Sequence, residues 1–225
     1  MQRFFDILFS SLAIFILSPL LIVISIVLRF TGEGEILFLQ ERIGKGGSSF
    51  KLYKFATMLK NSPNIGTGTV TVKGDARILP IGAVLRKTKI NELPQLFNIL
   101  LGDMSIIGPR PLTQQTFSAY TTEVQEVIKM VKPGLSGVGS IVFRGEEDIL
   151  SGKAASLDYY RNVIAPYKGE LERWFAQNNN IATYFKAIGM TVWVVLFSNS
   201  NLVWKAFKEL PKPPKELHSV LNYNG

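Results

Sequence analysis

The sequence contains no cysteine and a single histidine. The first absence removes disulfides, thiolate zinc sites and any thiol nucleophile. The one histidine, His218, follows Pro211, Pro213 and Pro214 and reads as a solvated tail residue, which argues against a Ser-His-Asp triad. There is no internal repeat and no low-complexity tract. Gly66, Gly68 and Gly74 match neither a P-loop nor a dinucleotide fingerprint, so Ser62 to Asp75 reads as a glycine-rich loop with a short strand at Thr69 to Val72. Whatever chemistry occurs must rely on carboxylates, amines, guanidinium groups or a hard metal ion. Acidic residues are also the minority, 17 against 25 Lys and Arg, for a net charge of +8.

What the sequence does have is a long apolar run, Ile7 through Leu28, uncharged and bounded by Arg3 and Asp6 on one side and Arg29 on the other. About 20 such residues cross the hydrocarbon layer as a helix. A signal peptide has a shorter apolar region of about 7–15 residues and a small-residue cleavage site; Arg29-Phe30 stands here instead, so a retained anchor is expected. Pro19, beside Ser18, removes a backbone N–H near the midpoint and kinks or breaks the helix. In lipid the freed carbonyl needs a local partner, and the Ser18 hydroxyl is one. The residues alone allow either a kinked spanning helix or one that bends and returns to the same face.

At 225 residues the chain is expected to be one domain plus an anchor, or at most a domain with a small appendage. Most of the positive charge lies outside the anchor and suits anionic headgroups or phosphorylated substrates; the anchor disfavours nucleic acid. Strands are expected at Glu35 to Gln40 and Phe50 to Phe55, around the turn Gly44 to Ser48. Leu93, Leu96, Phe97 and Leu100 give Asn91 to Leu101 a helical period, with Asn91 at or near the N-cap, Glu92 at the first helical position and Pro94 tolerated in the first turn. Phe117 to Val131 reads as an amphipathic helix ended by Pro133-Gly134, and Val138 to Phe143 as a strand. Further helices are expected at Leu157 to Ile164, Pro166 to Gln177 and Ile181 to Phe197. The last, with Trp193 and Phe197, is either core or interfacial.

The densest functional cluster runs from Arg77 to Arg110 and includes Arg86, Lys87, Lys89, Asn91, Glu92 and Asp103. A helix N-terminus and guanidinium groups can hold phosphate while a carboxylate holds magnesium. The plainer alternative is that Asn91 caps the helix, Glu92 complements its dipole and the arginines are solvated.

Ordered blocks sharpen the choice: Arg3-Phe4-Phe5-Asp6 with Ser18-Pro19, Phe38 to Gly44, Tyr53-Lys54-Phe55, Asp75 to Ile78, Leu85-Arg86-Lys87, Glu92 to Leu96, Asn98 to Pro111, Lys132 to Gly137 and Arg144. On these the chain resembles, nearly end to end, the bacterial sugar transferases that act as monotopic polyprenyl-phosphate phosphoglycosyl transferases. The resemblance implies a mixed, helix-rich α/β fold with an N-terminal re-entrant membrane helix bent at Ser18-Pro19 and interfacial amphipathic helices. It implies a membrane-inserted segment at 1–30, a cytosolic catalytic domain at 31–210 and a Pro-rich tail at 211–225. The implied reaction moves a phosphosugar from a UDP-sugar to polyprenyl (undecaprenyl) phosphate, releasing UMP, at the cytoplasmic face of the bacterial inner membrane, as a first step of polysaccharide or glycan assembly. Mg²⁺ is the implied cofactor, with Glu92 as its ligand. Lys54, Arg77, Arg86, Arg110 and Arg144 carry over as phosphate or nucleotide contacts. The implied partners are the lipid phosphate, the UDP-sugar and the bilayer, with no nucleic acid; a homodimer is a candidate assembly.

The family's catalytic pair is Asp-Glu, the Asp forming a covalent phosphosugar intermediate; here it reads Asn91-Glu92. An amide carries no charge and is a poor nucleophile. Three outcomes follow: Glu92 takes over, the lipid phosphate displaces UMP directly, or the chain is a catalytically impaired, membrane-anchored substrate-binding or scaffold homologue. Smaller departures are Ala56 for arginine, and Glu172, Gln177 and Tyr184 near positions where the family tends to have Asp.

Overall fold

The computed structural model describes residues 1–65, 75–144, 159–197 and 200–223, apart from the side chains of Pro63, Tyr160 and Arg161. The expected strand at Thr69 to Val72 lies outside the described residues, as does the start of the expected helix at Leu157. The fold is mixed α/β and rich in helix, and the chain divides into two compact units. One comprises Phe5–Glu41 and Lys51–Gly102; the other comprises Met1–Phe4, Arg42–Phe50 and Asp103–Gly225.

In the first unit, α1 (Gln2–Arg29, whose first residues count with the second unit) is a continuous helix of 28 residues with Pro19 inside it. By length and composition it can cross a membrane. Pro19 cannot donate to the carbonyl four residues back, that of Phe15. The Ser18 hydroxyl donates to this same oxygen at 2.8 Å, the local repair expected from the Ser-Pro pair. The half of α1 after Pro19 is docked. Leu21, Ile24 and Leu28 recur at helical spacing and are buried with Phe55 and Leu85, while Leu17, Ile36, Ile81, Ile90 and Leu93 pack against them. Before the proline, Leu8, Leu12, Phe15 and Ile16 are exposed.

Strands β1 (Leu37–Ile43) and β2 (Ser49–Phe55) pair as a hairpin, each starting or ending a few residues from its expected bound. Beyond β2, Met58 forms a bridge with Ile78, followed by α2 (Pro80–Lys87). Lys89 then adopts a left-handed backbone (φ 60), which feeds a 3₁₀ turn at Ile90–Glu92. Helix α3 begins only at Gln95 and ends at Leu101. Its buried residues are Gln95, Leu96, Asn98 and Ile99, so the core face is rotated from the one expected; Phe97 points outward.

In the second unit, β3 (Ser105–Ile107) pairs parallel with β4 (Gly134–Ser136), Ser105 opposite Gly134 and Ile107 opposite Ser136. The crossover carries α4 (Gln114–Phe117) and α5 (Thr122–Lys129) in place of the single expected helix. The break has a local cause. The Thr121 hydroxyl accepts from Val124 N–H and caps a new helix, while Gln125 donates its side-chain amide to the Tyr120 carbonyl. The expected strand at Val138 to Phe143 is instead α6 (Val138–Val142). Val138, Gly139, Ile141 and Val142 are all buried, and a short helix apolar on every side reads as a strand by composition. After a π turn at Tyr160–Ile164, α7 (Ala165–Gln177) packs on α5 and α6, and α8 (Ile181–Leu196) on α6 and β3.

Helix α8 divides the two readings between its faces. Tyr184, Ala187, Met190 and Val194 are buried, while Val192, Val195 and Leu196 are exposed beside Trp193. After α9 (Leu202–Ala206), the tail packs. Leu217 and Leu221 are buried, and Tyr167 donates its hydroxyl to the Pro211 carbonyl at 2.7 Å. His218 is half-buried, with Nε2 3.0 Å from the Pro213 carbonyl and its ring against Tyr223, rather than solvated.

Candidate active site

In the first unit the site centres on the 3₁₀ turn. Asn91 does not cap a helix: it lies inside the turn, 6% exposed, and its Oδ1 has no hydrogen-bond partner among the described residues. Glu92 is not at a first helical position either, because Pro94 stands at the N-cap of α3. A helix of seven residues beginning beyond Pro94 offers Glu92 little dipole, so the expected phosphate seat at its N-terminus is not formed here. What the turn does provide is a carboxylate with access to solvent. Glu92 Oε1 lies 3.7 Å from Lys54 Nζ, their side chains 24% and 20% exposed.

Asn98 sets this pairing and was not anticipated. It is wholly buried in α3, accepts from the Tyr53 N–H at 2.9 Å and donates to the Lys51 carbonyl at 2.8 Å. The strand that carries Lys54 is thereby locked to the helix that follows Glu92. Ile90 and Leu93, on either side of Asn91-Glu92, pack on the α1 core, as does Phe55 next to Lys54. The carboxylate and the amine are therefore fixed to the base of the apolar helix.

Arg77 has a different part from the one expected. It is 6% exposed. Its Nε and Nη2 donate to the two Asp75 carboxylate oxygens at 2.8 and 2.5 Å, and Nη1 donates to the Ser62 and Ile65 carbonyls at 2.7 and 2.8 Å. Those donors count against a direct phosphate contact; Arg77 clasps the two ends of the 62–77 segment. The signal was present as Asp75 two residues away. Arg86 is half-buried, with Nη1 3.9 Å from the Met58 sulfur.

In the second unit, Arg110 is exposed on the turn Gly108-Pro109-Arg110-Pro111. Gly108 donates to the Ser136 carbonyl and Gly134 to the Pro109 carbonyl, at 2.9 and 2.8 Å. The backbones approach so closely that a Cβ on Gly108, Gly134 or Gly137 would overlap main-chain atoms of the facing segment. Arg42 donates to the Pro111 carbonyl and Ile43 N–H to that of Leu112. Arg110 and Lys129 are the two cations lining a small apolar cavity with Gly44, Pro109, Phe117 and Pro133. Arg144 is exposed at the end of its described segment.

For a divalent ion, the described residues contain no cluster of three or more His, Asp or Glu. Mg²⁺ is commonly held by one or two carboxylates, water and the substrate's own phosphates. Glu92 therefore fits an ion that arrives with a diphosphate.

The family model for bacterial sugar transferases matches residues 1–198. The chain belongs to this family. Among its similar relatives, a UDP-N-acetylgalactosamine-undecaprenyl-phosphate N-acetylgalactosaminephosphotransferase of Aeromonas hydrophila is 39% identical over 143 residues, 63% of this chain and 34% of that protein. A UDP-glucose:undecaprenyl-phosphate glucose-1-phosphate transferase of Klebsiella pneumoniae is 36% identical over 163 residues, 70% of this chain and 34% of the relative. The exopolysaccharide production protein ExoY of Rhizobium meliloti is 32% identical over 175 residues, 72% and 77% of the two chains. The chain thus spans about a third of the first two relatives and most of the third.

Proposed function

We propose that the chain transfers a phosphosugar from a UDP-sugar to polyprenyl phosphate, such as undecaprenyl phosphate, at the cytoplasmic face of the membrane, releasing UMP and starting a surface glycan. The observation that supports it most is the Lys54–Glu92 pair held beside the end of an apolar helix by Ile90, Leu93 and Phe55. A lipid phosphate cannot leave the bilayer, so its acceptor oxygen must be met at headgroup level. The docked half of α1 supports that height, whether α1 spans or bends back at Ser18-Pro19. The exposed apolar face of α8 supports contact with the same interface.

In this reading Asn91, neutral and buried, takes no covalent part. The lipid phosphate oxygen attacks the sugar-bearing phosphorus of the donor in line. A new P–O bond forms, the bond to the UMP oxygen breaks, and UMP leaves as the phosphate anion. Lys54 offsets negative charge on the transferring groups, and Arg110 is a phosphate contact for a nucleotide. Mg²⁺ held by Glu92 would neutralise charge on the diphosphate.

The test is a screen of UDP-sugars with the purified protein in nanodiscs, following UMP release with and without undecaprenyl phosphate. The proposal expects lipid-dependent release from at least one donor, no phosphosugar adduct on the wild-type protein by intact mass, and an adduct on Asn91→Asp. Binding of UDP-sugar without any UMP release would instead favour the scaffold alternative.

A further inference from the structure

The Pro-Arg-Pro turn has an unusual hydrogen-bond inventory. Pro109 and Pro111 lack N–H groups, so the Arg110 amide is the only backbone donor between those of Gly108 and Leu112. It donates to Glu172 Oε1 at 3.4 Å. Glu172 reaches the turn from α7 and is 2% exposed, and its Oε2 has no hydrogen-bond partner among the described residues. The carboxyl lies against the Cα face of Gly139 in α6, where any Cβ would overlap Oε1. An acid carried into the interior is costly unless it is bonded, yet among the described residues its one hydrogen bond is to the amide of the residue that carries the exposed guanidinium.

We propose that Glu172 is a positioning residue for Arg110, setting the direction in which the guanidinium is presented to the diphosphate of a nucleotide donor. This rests on the function proposed above and names the residue that tunes its Arg110 nucleotide contact. The other anchors of the turn act on Gly108, Pro109, Pro111 and Leu112, so among the described residues Arg110 itself is held through this carboxyl and its proline neighbours. Burial pushes the Glu172 carboxyl up to about 7, against the Arg110 N–H and the charges of Lys168 and Arg110. A near-neutral acid still accepts the amide hydrogen bond, so the presentation needs an acceptor oxygen of the right reach rather than a charge.

The experiment measures UDP affinity by calorimetry, and KM and kcat for the UDP-sugar found in the donor screen, with thermal unfolding to confirm folded protein. The variants are Glu172→Ala, Glu172→Gln, Gly139→Ala, Arg110→Ala and the double variant of Glu172→Ala with Arg110→Ala. Glu172→Ala is expected to weaken UDP binding about tenfold, the worth of one hydrogen bond of about 1.4 kcal/mol, and to raise KM more than it lowers kcat. Glu172→Gln restores binding to within about threefold of wild type, since it keeps the acceptor. Gly139→Ala, which displaces the carboxyl without removing it, weakens binding as Glu172→Ala does and decides the matter if the latter does not fold. The double variant binds no more weakly than Arg110→Ala alone. Wild-type affinity in folded Glu172→Ala or Gly139→Ala, or additive losses in the double variant, overturns the role of Glu172 alone. Failure of the wild type to bind UDP overturns it together with the proposed function.

Discussion

Cations in this chain are not interchangeable, and burial separates their roles. Arg77 is enclosed, with Asp75 and two carbonyls taking its donors. Lys54 is accessible and shares one carboxylate. Arg77→Ala removes the guanidinium that faces the buried Asp75 carboxylate, and taking one partner from a buried ion pair strongly destabilises a fold. Its thermal midpoint should fall by several degrees, with loss of turnover following loss of folded protein. Lys54→Ala should keep the wild-type midpoint in the same scan and lose turnover at fixed folded fraction. Glu172 adds a pH signature. Its carboxyl is raised by burial from 4.5 to about 7, so between these values the folded state holds a proton that the unfolded state has released. Stability from this group is therefore full at low pH and declines as pH rises towards 7, by up to about 3 kcal/mol. The midpoint of Glu172→Gln minus that of wild type should increase from pH 5 to pH 7.5 and then level off; a difference constant with pH would show the acid is not neutral in the fold.

Among the elements, α1 matters most because it is two things along one length. Before Pro19, Leu8, Leu12, Phe15 and Ile16 stand exposed while Asp6 and Ser10 are buried; after it, a stripe at helical spacing is sunk into the core on which Ile90 and Leu93 pack. Leu28 is 1% exposed there, so Leu28→Ala should cost about 2–5 kcal/mol. It should also lower kcat at temperatures where the protein stays folded, because Ile90 and Leu93 lose their support. Chemical unfolding with parallel kinetics checks both, and an unchanged kcat would uncouple the anchor from the site. The apolar run and its Ser-Pro repair were legible in the sequence because hydropathy and a missing N–H are local properties. Helices α7 and α8 were legible for the same reason. The start of α3 was misread because Lys89 takes a left-handed backbone and Pro94 defers the helix, and neither shows in a pattern of apolar spacing. The strand expected at Val138 became a helix because burial on all sides erases the period that distinguishes the two.

Over the molecule as a whole, the candidate site residues come from separate stretches of the chain. Lys54 and Glu92 are partly exposed and Arg110 is exposed, while Arg77 is buried against Asp75. Asn98 and Glu172 owe their importance to partners 45 and 62 residues away. No local pattern exposes such pairings. The net charge of +8 is compatible with the proposed work against anionic headgroups and diphosphates. The most direct test of the account uses a UDP-sugar carrying ³²P at the phosphate next to the sugar, given to the purified protein in nanodiscs containing undecaprenyl phosphate. Label should pass into the lipid fraction with the wild type and not with Glu92→Gln. Label that stays in the aqueous donor with folded, nucleotide-bound wild type, or that reaches the lipid equally well with Glu92→Gln, would contradict it.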